Sequence, residues 1–582
     1  MMQHRSVMPS RCVALLGGIA VLGSLGCSDE RWKAGPSVAD PLPAAIDVGQ
    51  NAPLDLSYVC GNRFLVSSTY ATAVSVTYRV AGSGEEGQVE VPAAPSIDPA
   101  MTEHSFETRT RGTVEISLDG KPVVARANGA VPCTPAPPAP AFIATTASEA
   151  GRWSAPFAWP IVAVHMILLP NGRVLSIGRT GSPQVWNPAS KAFTSVPAPA
   201  RLFCSGHSLL SDGRVLVVGG HIKDRYGLPN TTLFSSNAWT SSTRMARGRW
   251  YPTATTMGNG DVVITGGTDE SAIHVPIPEV WSNGSVRQLT GASQTLPWYP
   301  RAFLAPNGTL FVAGPTVGTR FLTVSGSGSW KKGPAHLFGQ TRNYGAAVMY
   351  DDGKILYSGG ATTTNTAELI DLNQATPVWR WTAPMAYARR HHNLTVLPTG
   401  EVLATGGVGG TVFNDVSKGV RAAELWNPQT GQWTVLASNA VTRGYHGSSL
   451  LLPDGRVLNA GSGEGAGAPD ERNAELFSPP YLFRGARPVI SSAPSSVRYG
   501  NQFRILTAQA AAIRSVSLIR LGAVTHAFDE NQRFQRLSFT ADATGLTVVG
   551  PNTRNRTPPG HYMLFILNGN NVPSVAKIIR VF

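Results

Sequence analysis

Charged residues are scarce in this chain of 582 residues and make up only 14% of it. The formal net charge of +13 is spread along the sequence without a run of Lys or Arg, which argues against nucleic-acid binding and favours an ordinary basic surface. Gly (61 residues) and Pro (44 residues) are abundant instead. This composition, with many Val, Thr and Leu between turn residues, predicts an all-β protein of roughly two to four domains.

Cysteine is sparse as well, with five residues. Cys12 and Cys27 lie in the N-terminal export region described below, so Cys60 and Cys133 are the pair expected to form a disulfide in an oxidising compartment. Cys204 is left outside that pair. A buried cysteine is most often an inert small hydrophobe, but in an exported protein a thiol outside any disulfide usually has to be buried or chemically used.

Long apolar runs are absent apart from one near the N-terminus, which is too short for a permanent transmembrane helix. Two arginines precede this run, residues 13–22, and a Gly-Cys pair follows it, a pattern typical of an export signal. We therefore expect residues 1–27 to be a signal peptide. Lipid attachment at Cys27, as in an outer-membrane lipoprotein, and release outside the cell or into the cell envelope are the two alternatives, because Ser24 stands where such signals usually have Leu.

The middle of the chain contains a repeat. Each copy has an apolar strand, a turn that ends in glycine and a second apolar strand, usually followed by Gly-Gly. The seven turn glycines are Gly172, Gly213, Gly260, Gly308, Gly353, Gly400 and Gly455. Their spacing of 41 to 55 residues matches one four-stranded propeller blade per copy. One such unit cannot bury both of its faces, so seven blades packed radially are predicted, and the repeat resembles the kelch motif.

The flanking segments also have the sequence character of β-structure. Residues 28–140 contain alternating strands and then a Pro-rich linker, and residues 486–582 contain several short strands. Both fit small immunoglobulin-like sandwiches. The predicted fold is therefore all-β, with a seven-bladed kelch-type β-propeller at residues 141–485 between N-terminal and C-terminal Ig-like β-sandwich domains.

Equivalent positions of the blades form rings around the channel of a propeller. Counting nine residues back from each turn glycine gives Ala163, Cys204, Tyr251, Tyr299, Tyr344, His391 and His446. Six of these seven are Cys, Tyr or His, the side chains of redox and metal chemistry. A single channel Tyr is most often packing, and a single His is most often polar lining. Their coincidence in register is what predicts a redox metal site at one mouth of the channel.

Four sequence stretches carry a more specific resemblance. LFCSGH contains Cys204, and ARGRWYPTATTM contains Tyr251. RGYHGSSLLLPDGRVLNAG contains Tyr445 and His446, and VTHAFDENQR contains His526. In this order on seven kelch blades, they resemble the copper radical oxidases of the galactose oxidase and glyoxal oxidase type. The similarity runs from GRWSAPFAWPIV to the C-terminus, and it implies that the C-terminal domain sends a loop into the propeller.

The resemblance implies one copper ion, with Tyr251, His446 and His526 as equatorial ligands and Tyr445 as the axial ligand. It also implies a thioether bond between Cys204 and the ring of Tyr251, which makes that tyrosine easier to oxidise to a radical. Imidazole and phenolate suit Cu(II), and a second one-electron centre is needed because the reaction removes two electrons. The implied reaction oxidises a small aldehyde or primary alcohol with dioxygen to the acid or aldehyde. Tyr445 would be the base, hydrogen peroxide the second product, and no nicotinamide or flavin is required.

The chain departs from galactose oxidase in two respects. Thr268-Asp269 stands where a tryptophan would stack on the modified tyrosine, and Trp298 is a candidate replacement. The sugar-binding residues have no match, and the pair Trp250-Tyr251 resembles the glyoxal oxidase branch, so galactose is not the expected substrate. The candidate substrate-pocket residues, by ring position or proximity, are Tyr299, Arg301, Tyr344 and His391.

Two other functions stay open at the level of sequence. A non-catalytic kelch module that binds glycan or protein at the cell surface has no reason to combine Cys204, Tyr251, Tyr445, His446 and His526. A copper storage or electron-transfer protein would not need the Cys–Tyr pair. We expect a monomer that meets a membrane, if at all, only through a lipid anchor.

Overall fold

The computed structural model describes residues 53–94, 101–134, 142–361 and 363–582. The predicted signal peptide, with Cys27, lies outside the described residues. Within them, the helical segments are the short α-helix Ala147–Ala150 and the 3-10 turns Val416–Lys418, Pro480–Phe483 and Ala510–Ala512. None of these described helices has the length and apolar character needed to cross a membrane.

The N-terminal domain is a β-sandwich in which alternating Val, Leu and Ile side chains from two antiparallel sheets form one core. Its three-stranded sheet consists of Leu54–Cys60, Arg63–Ser68 and Thr102–Glu107. Its four-stranded sheet consists of Glu86–Val91, Val74–Val80, Thr113–Leu118 and Lys121–Ala127. The expected disulfide joins Cys60 to Cys133. Glu103 accepts hydrogen bonds from the backbone nitrogens of Val317 and Gly318, which attaches this domain to the propeller.

The middle of the chain forms seven antiparallel sheets, numbered here as blades 1 to 7 in chain order. Blades 1 and 2 consist of His165–Leu168, Val174–Ile177, Gln184–Trp186, Phe193–Ser195 and of Gly206–Leu209, Val215–Val218, Thr231–Ser235, Ala238–Ser241. Blades 3 and 4 consist of Thr253–Thr256, Val262–Thr265, Glu279–Ser282, Ser285–Gln288 and of Ala302–Leu304, Leu310–Val312, Arg320–Thr323, Ser329–Lys332. Blades 5 and 6 consist of Ala346–Asp351, Lys354–Ser358, Ala367–Asp371, Trp379–Thr382 and of Asn393–Val396, Val402–Thr405, Ala422–Trp426, Trp433–Ser438. Blade 7 has Gly447–Leu451, Val457–Gly461 and Asn473–Ser478.

An N-terminal segment completes blade 7 and thereby closes the ring. Phe157–Ala158 and Arg152–Trp153 both pair antiparallel with Asn473–Ser478, the third strand of that blade. Phe142–Ile143 pairs in parallel with Trp433–Ser438, the outer strand of blade 6. The first strands of blades 7 and 1 are in contact. Closing a propeller with strands from both ends of the repeat protects the edges that would otherwise be exposed.

The C-terminal domain is a second β-sandwich. One sheet contains Ser496–Val497, Lys577–Val581, Gly560–Asn568, Ile513–Arg520 and Phe534–Leu537, and the other contains Gln502–Leu506, Gly545–Val549 and Phe539–Asp542. The chain leaves this sandwich as a hairpin of Ala523–Thr525 and Phe528–Asp529. Ala523–Thr525 pairs antiparallel with the first strand of blade 1, so the predicted loop does enter the propeller.

These sheets confirm the predicted fold class, all-β with a seven-bladed propeller between two sandwiches. Two smaller features were not predicted. A two-stranded hairpin, His221–Lys223 with Tyr226–Gly227, is inserted between the second and third strands of blade 2. The ring positions lie one to three residues ahead of the inner strands rather than within them.

Candidate active site

The ring positions share an unusual backbone conformation. All six of the Cys, Tyr and His residues have a φ in the left-handed region, whereas Ala163 does not: Cys204 (60°), Tyr251 (63°), Tyr299 (44°), Tyr344 (55°), His391 (62°) and His446 (67°). Left-handed φ costs a non-glycine residue about 1 kcal/mol or more. Such strain at one register position in six successive blades indicates a functional demand on the direction of these side chains.

Backbone hydrogen bonds join successive ring positions. The nitrogen of Tyr251 donates to the carbonyl of Cys204, and the nitrogen of Tyr299 donates to the carbonyl of Tyr251, each at 2.9 Å. The nitrogen of His391 donates in the same way to Tyr344 at 2.9 Å. Cys204, Tyr251 and Tyr299 therefore form one continuous arc across blades 2, 3 and 4.

The four predicted ligands converge at this arc. The hydroxyls of Tyr251 and Tyr445 are in hydrogen-bond contact. His526, carried by the C-terminal hairpin, places its Nε2 3.0 Å from the Tyr251 hydroxyl. The rings of His446 and His526 lie 4.6 Å apart, centroid to centroid. All four side chains are buried, at 2% exposure or less.

In both histidines, His446 and His526, Nδ1 contacts a neighbouring oxygen, which leaves Nε2 for binding a metal. His446 Nδ1 lies 2.6 Å from the carbonyl oxygen of Gly463, so Nδ1 carries the proton and donates it. Its Nε2 is buried and has no hydrogen-bond partner among the described residues. Burial lowers the pKa of His446 to about 3, so the imidazole is neutral. His526 Nδ1 contacts the Thr525 hydroxyl at 2.6 Å, and burial together with nearby His446 and His165 lowers the pKa of His526 well below its usual value.

Trp250, not Trp298, lies flat on Tyr251. The Trp250 and Tyr251 ring centroids are 3.7 Å apart with 10° between the planes, whereas Trp298 meets Tyr251 edge-on at 5.5 Å and 74°. Tyr445 and His446 stack similarly, at 3.8 Å and 27°. These two rings lie on the same side of the backbone, unlike successive side chains of an extended strand, and His446 has a left-handed φ.

A narrow cavity opens beside Tyr251 and His526. Trp298, Tyr299 and Tyr344 contribute to its wall, together with Arg301, Pro315 and Asn343. Its volume of about 10 Å³ is room for roughly one water molecule.

The remaining candidate pocket residue, His391, is not among the residues that line this cavity. His391 packs against Tyr445, with ring centroids 5.3 Å apart, and its Nε2 lies 2.7 Å from the carbonyl of Phe413. Phe413 also packs on Tyr445, at 5.1 Å, and the Asn414 side chain accepts a hydrogen bond from the Tyr445 nitrogen. Sequence reasoning missed Phe413 and Asn414, because they lie in a connection outside the repeat register.

Arg301 has a different environment from that expected of a substrate contact. Its guanidinium is buried and donates to three backbone carbonyls, those of Tyr299 (2.9 Å), Gly345 (3.1 and 3.2 Å) and His526 (3.1 Å). It therefore ties the C-terminal hairpin to blades 4 and 5. Its role in contacting substrate stays a prediction.

Two buried histidines beneath Cys204 were also missed, because they do not stand at the counted register. The Cys204 nitrogen donates to His165 Nε2 at 3.2 Å, and His165 Nδ1 lies 3.1 Å from His207 Nε2. Because a backbone nitrogen can only donate, His165 must carry its proton on Nδ1. Glu530 accepts from the backbone nitrogens of His207 and Ala254, which links the C-terminal hairpin to blades 2 and 3.

Two protein-family models and several known proteins match the sequence of this chain. The model of the family described as "Glyoxal oxidase N-terminus" matches residues 185–481, and that of "Galactose oxidase-like, Early set domain" matches residues 487–581. A galactose oxidase from Gibberella zeae is 31% identical over 493 residues, which cover 74% of this chain and 70% of the relative. The aldehyde oxidase GLOX from Vitis pseudoreticulata is 30% identical over 433 residues, 65% of this chain and 82% of the relative.

The fold is also similar to that of a solved structure. A fungal alcohol oxidase in complex with copper superposes with a TM-score of 0.69 and 26% sequence identity, covering 74% of this chain and 100% of that chain.

Proposed function

Because the chain belongs to the family of galactose oxidases and glyoxal oxidases, we propose that it is a copper radical oxidase. It oxidises a small aldehyde or primary alcohol with dioxygen, giving the acid or aldehyde and hydrogen peroxide. The observation that carries this proposal is the convergence of Tyr251, Tyr445, His446 and His526 beside Cys204.

The residues present fit a copper ion. Two phenols and two imidazoles are donors that Cu(II) accepts. The bare, buried Nε2 of His446 would cost about 1–3 kcal/mol without a ligand, and each histidine has its other nitrogen fixed by a neighbour, as is usual for metal-binding histidines. In the described part of the chain, no group of three or more His, Cys, Asp or Glu side chains is arranged to hold a metal. The proposed copper site differs from such groups, because two of its four donors are tyrosines.

The proposed chemistry divides a two-electron oxidation between two centres. Copper held by these residues would supply one one-electron acceptor. Tyr251, joined through its ring to the Cys204 sulfur, would be the other, because as a radical it would take a hydrogen atom from the substrate carbon. Tyr445, as a phenolate, would accept the proton of the substrate hydroxyl at its Oη, which lies against the Tyr251 hydroxyl. Trp298, Tyr299 and Tyr344 line the cavity beside Tyr251 and would limit the size of the substrate.

The finer statements belong to the same proposal. The protein acts as an exported monomer, either released or anchored by a lipid at Cys27. Its activity on aldehydes or on alcohols is the remaining choice, and the relatives named above include enzymes described as acting on each.

Copper loading in the presence of dioxygen tests the proposal. The intact mass of the protein should fall by two hydrogen atoms as the Cys204–Tyr251 bond forms, and the loaded protein should release peroxide with at least one member of a panel of small aldehydes and primary alcohols. Cys204→Ser is the matched control, since it keeps the size of the side chain and should show neither the mass loss nor the radical. A loaded protein with an intact thiol and no peroxide across the panel would favour the non-catalytic kelch module instead.

A further inference from the structure

The indole that lies on Tyr251 is itself held by hydrogen bonds. The backbone of Trp250 exchanges two hydrogen bonds with Thr268 in blade 3, at 2.8 and 3.0 Å. Its indole Nε1 donates to Nδ1 of His221 at 3.2 Å. Both Trp250 and His221 are buried, at 1% and 2% exposure. The position of the indole is thus set from two sides, by blade 3 and by the hairpin inserted in blade 2.

The hydrogen bond determines the protonation of His221. An indole N–H can only donate, so His221 Nδ1 must be the unprotonated nitrogen of a neutral imidazole. The proton is then on Nε2, which lies 3.8 Å from a carboxylate oxygen of Asp224. Burial, with Arg201 and Arg179 nearby, lowers the pKa of His221 to about 4, which agrees with a neutral ring.

His221 is itself held in place. Its backbone nitrogen donates to the carbonyl of Arg201 at 2.9 Å, and Asp224 is bridged by Arg179 at 3.2 Å. Phe203 packs edge-on against His221 on one side and against His446 on the other, with centroid separations of 5.2 and 5.4 Å. His221 therefore accepts the hydrogen bond of Trp250 from a fixed position, and only Phe203 separates its ring from that of His446.

A hydrogen bond from an indole N–H to an imidazole nitrogen pushes electron density into the indole ring. A flat, electron-rich ring 3.7 Å from a phenol stabilises that phenol when it is short of an electron. We propose that His221 is a positioning residue for the oxidised form of Tyr251, acting through Trp250: it holds the indole flat on the phenol and raises the electron density of the indole. This inference rests on the proposed radical function and adds no electron or proton transfer to it.

The first experiment uses metal-free protein and tests the hydrogen bond alone. The indole N–H proton of Trp250, assigned by its loss in Trp250→Phe, should resonate downfield in the parent protein and move upfield in His221→Leu. His221→Asn places an amide oxygen near the position of Nδ1 and should keep most of the downfield shift. An unmoved resonance in His221→Leu would overturn the inference. Because His221→Leu could fail to fold, thermal unfolding is compared first, and His221→Asn against the parent then serves as a second comparison.

The second experiment uses copper-loaded protein and follows the radical absorption of Tyr251 during redox titration. His221→Leu should shift the equilibrium between oxidised and reduced Tyr251 toward the reduced form by roughly two- to tenfold, the range of one net hydrogen bond. His221→Asn should restore most of the shift. The double variant His221→Leu with Trp250→Phe should match Trp250→Phe alone, because His221 acts only through the indole.

The outcomes separate the two proposals. Equal equilibria in His221→Leu and the parent, or additive effects in the double variant, overturn the role of His221 while the radical function stands. A parent protein that forms neither a thioether nor a radical overturns the proposed function and this inference with it, and the metal-free resonance then reports only on the hydrogen bond.

Discussion

Left-handed backbone at the ring positions turns neighbouring side chains toward the same point. In an extended strand, residues i and i+1 point to opposite faces. At Tyr251 and at His446 a positive φ instead stacks each ring on that of the preceding residue, Trp250 and Tyr445. One conformational device thus places the indole in blade 3 and the proposed base in blade 7.

Arg301 provides a prediction at the scale of the single residue. Arg301→Lys should lower the copper affinity of the metal-free protein roughly ten- to a hundredfold, since lysine cannot bridge the carbonyls of Gly345 and His526 that the guanidinium joins. Copper titration measures this, and steady-state kinetics give the KM for the aldehyde. Arg287→Lys is the control, because the exposed Arg287 also donates to two carbonyls, far from the ligands. A raised KM with unchanged copper affinity would instead make Arg301 a substrate contact.

At the scale of elements, buried ion pairs hold the ring positions of four blades. In each of these blades, an arginine lies two or three residues before the ring position and pairs with a glutamate on the third strand. The same arginine donates a hydrogen bond to a glycine carbonyl at the end of the second strand. That glycine is the first residue after the strand in three blades and the last residue of the strand in blade 7. The pairs are Arg249–Glu279, Arg342–Glu368, Arg389–Glu424 and Arg443–Glu475, all at 1% exposure or less. Blade 7 has two residues, Gly444 and Tyr445, between the arginine and the ring position, where each of the other three blades has one.

Breaking one of these pairs should destabilise the propeller strongly. Burial alone would raise the pKa of Glu368, but Arg342 and His336 lower it to about 2, so the carboxylate is charged opposite the guanidinium. Glu368→Gln leaves Arg342 buried without its counter-charge and should lower the free energy of unfolding by about 3–5 kcal/mol. Urea denaturation measures this loss. Glu86→Gln, which breaks an exposed pair with Arg79, should cost no more than about 1 kcal/mol, and equal losses in the two variants would contradict the prediction.

At the scale of the whole molecule, the C-terminal hairpin joins blades that are not neighbours. Glu530 accepts from backbone nitrogens of blades 2 and 3, Gln532 bonds to Leu394 and Val396 of blade 6, and Arg533 donates to Leu304 of blade 4. His526 lies four residues before Glu530, in the turn of the hairpin. The ligand set therefore depends on the docking of a separate domain, and not on the propeller alone.

Acidification should weaken the fold through its buried neutral histidines. Burial lowers the pKa of His274 from 6.5 to about 4, so the unfolded chain binds its proton more readily than the native one. The stability that depends on a neutral His274 is complete above pH 6.5 and is lost as the pH falls toward 4. The stability difference between the parent and His274→Asn, measured by denaturant unfolding of metal-free protein, should shift against the parent by about 2 kcal/mol between pH 7 and pH 5. A difference that does not change with pH would contradict this.

Much of the architecture could be predicted because its signals are local. Each turn glycine with its flanking strands is a short-range pattern, and seven copies require a closed ring. The counted register brought out Cys204, Tyr251 and His446 for the same reason. The domain boundaries at 140 and 485, and the roles of the site residues, stay predictions. Phe413, His165 and His221 could not be found this way, since they lie outside the counted register and reach the site only through packing.

By itself, the sequence determined the number of blades, the ring of Cys, Tyr and His residues and the kind of chemistry that they favour, because periodicity and residue type do not depend on distant contacts. Only the tertiary structure decided that Trp250 rather than Trp298 lies flat on Tyr251, that Tyr445 and His446 point the same way, and that the C-terminal hairpin carries His526 against Tyr251. These depend on backbone dihedral angles and on contacts between residues up to 275 positions apart, which no local pattern encodes.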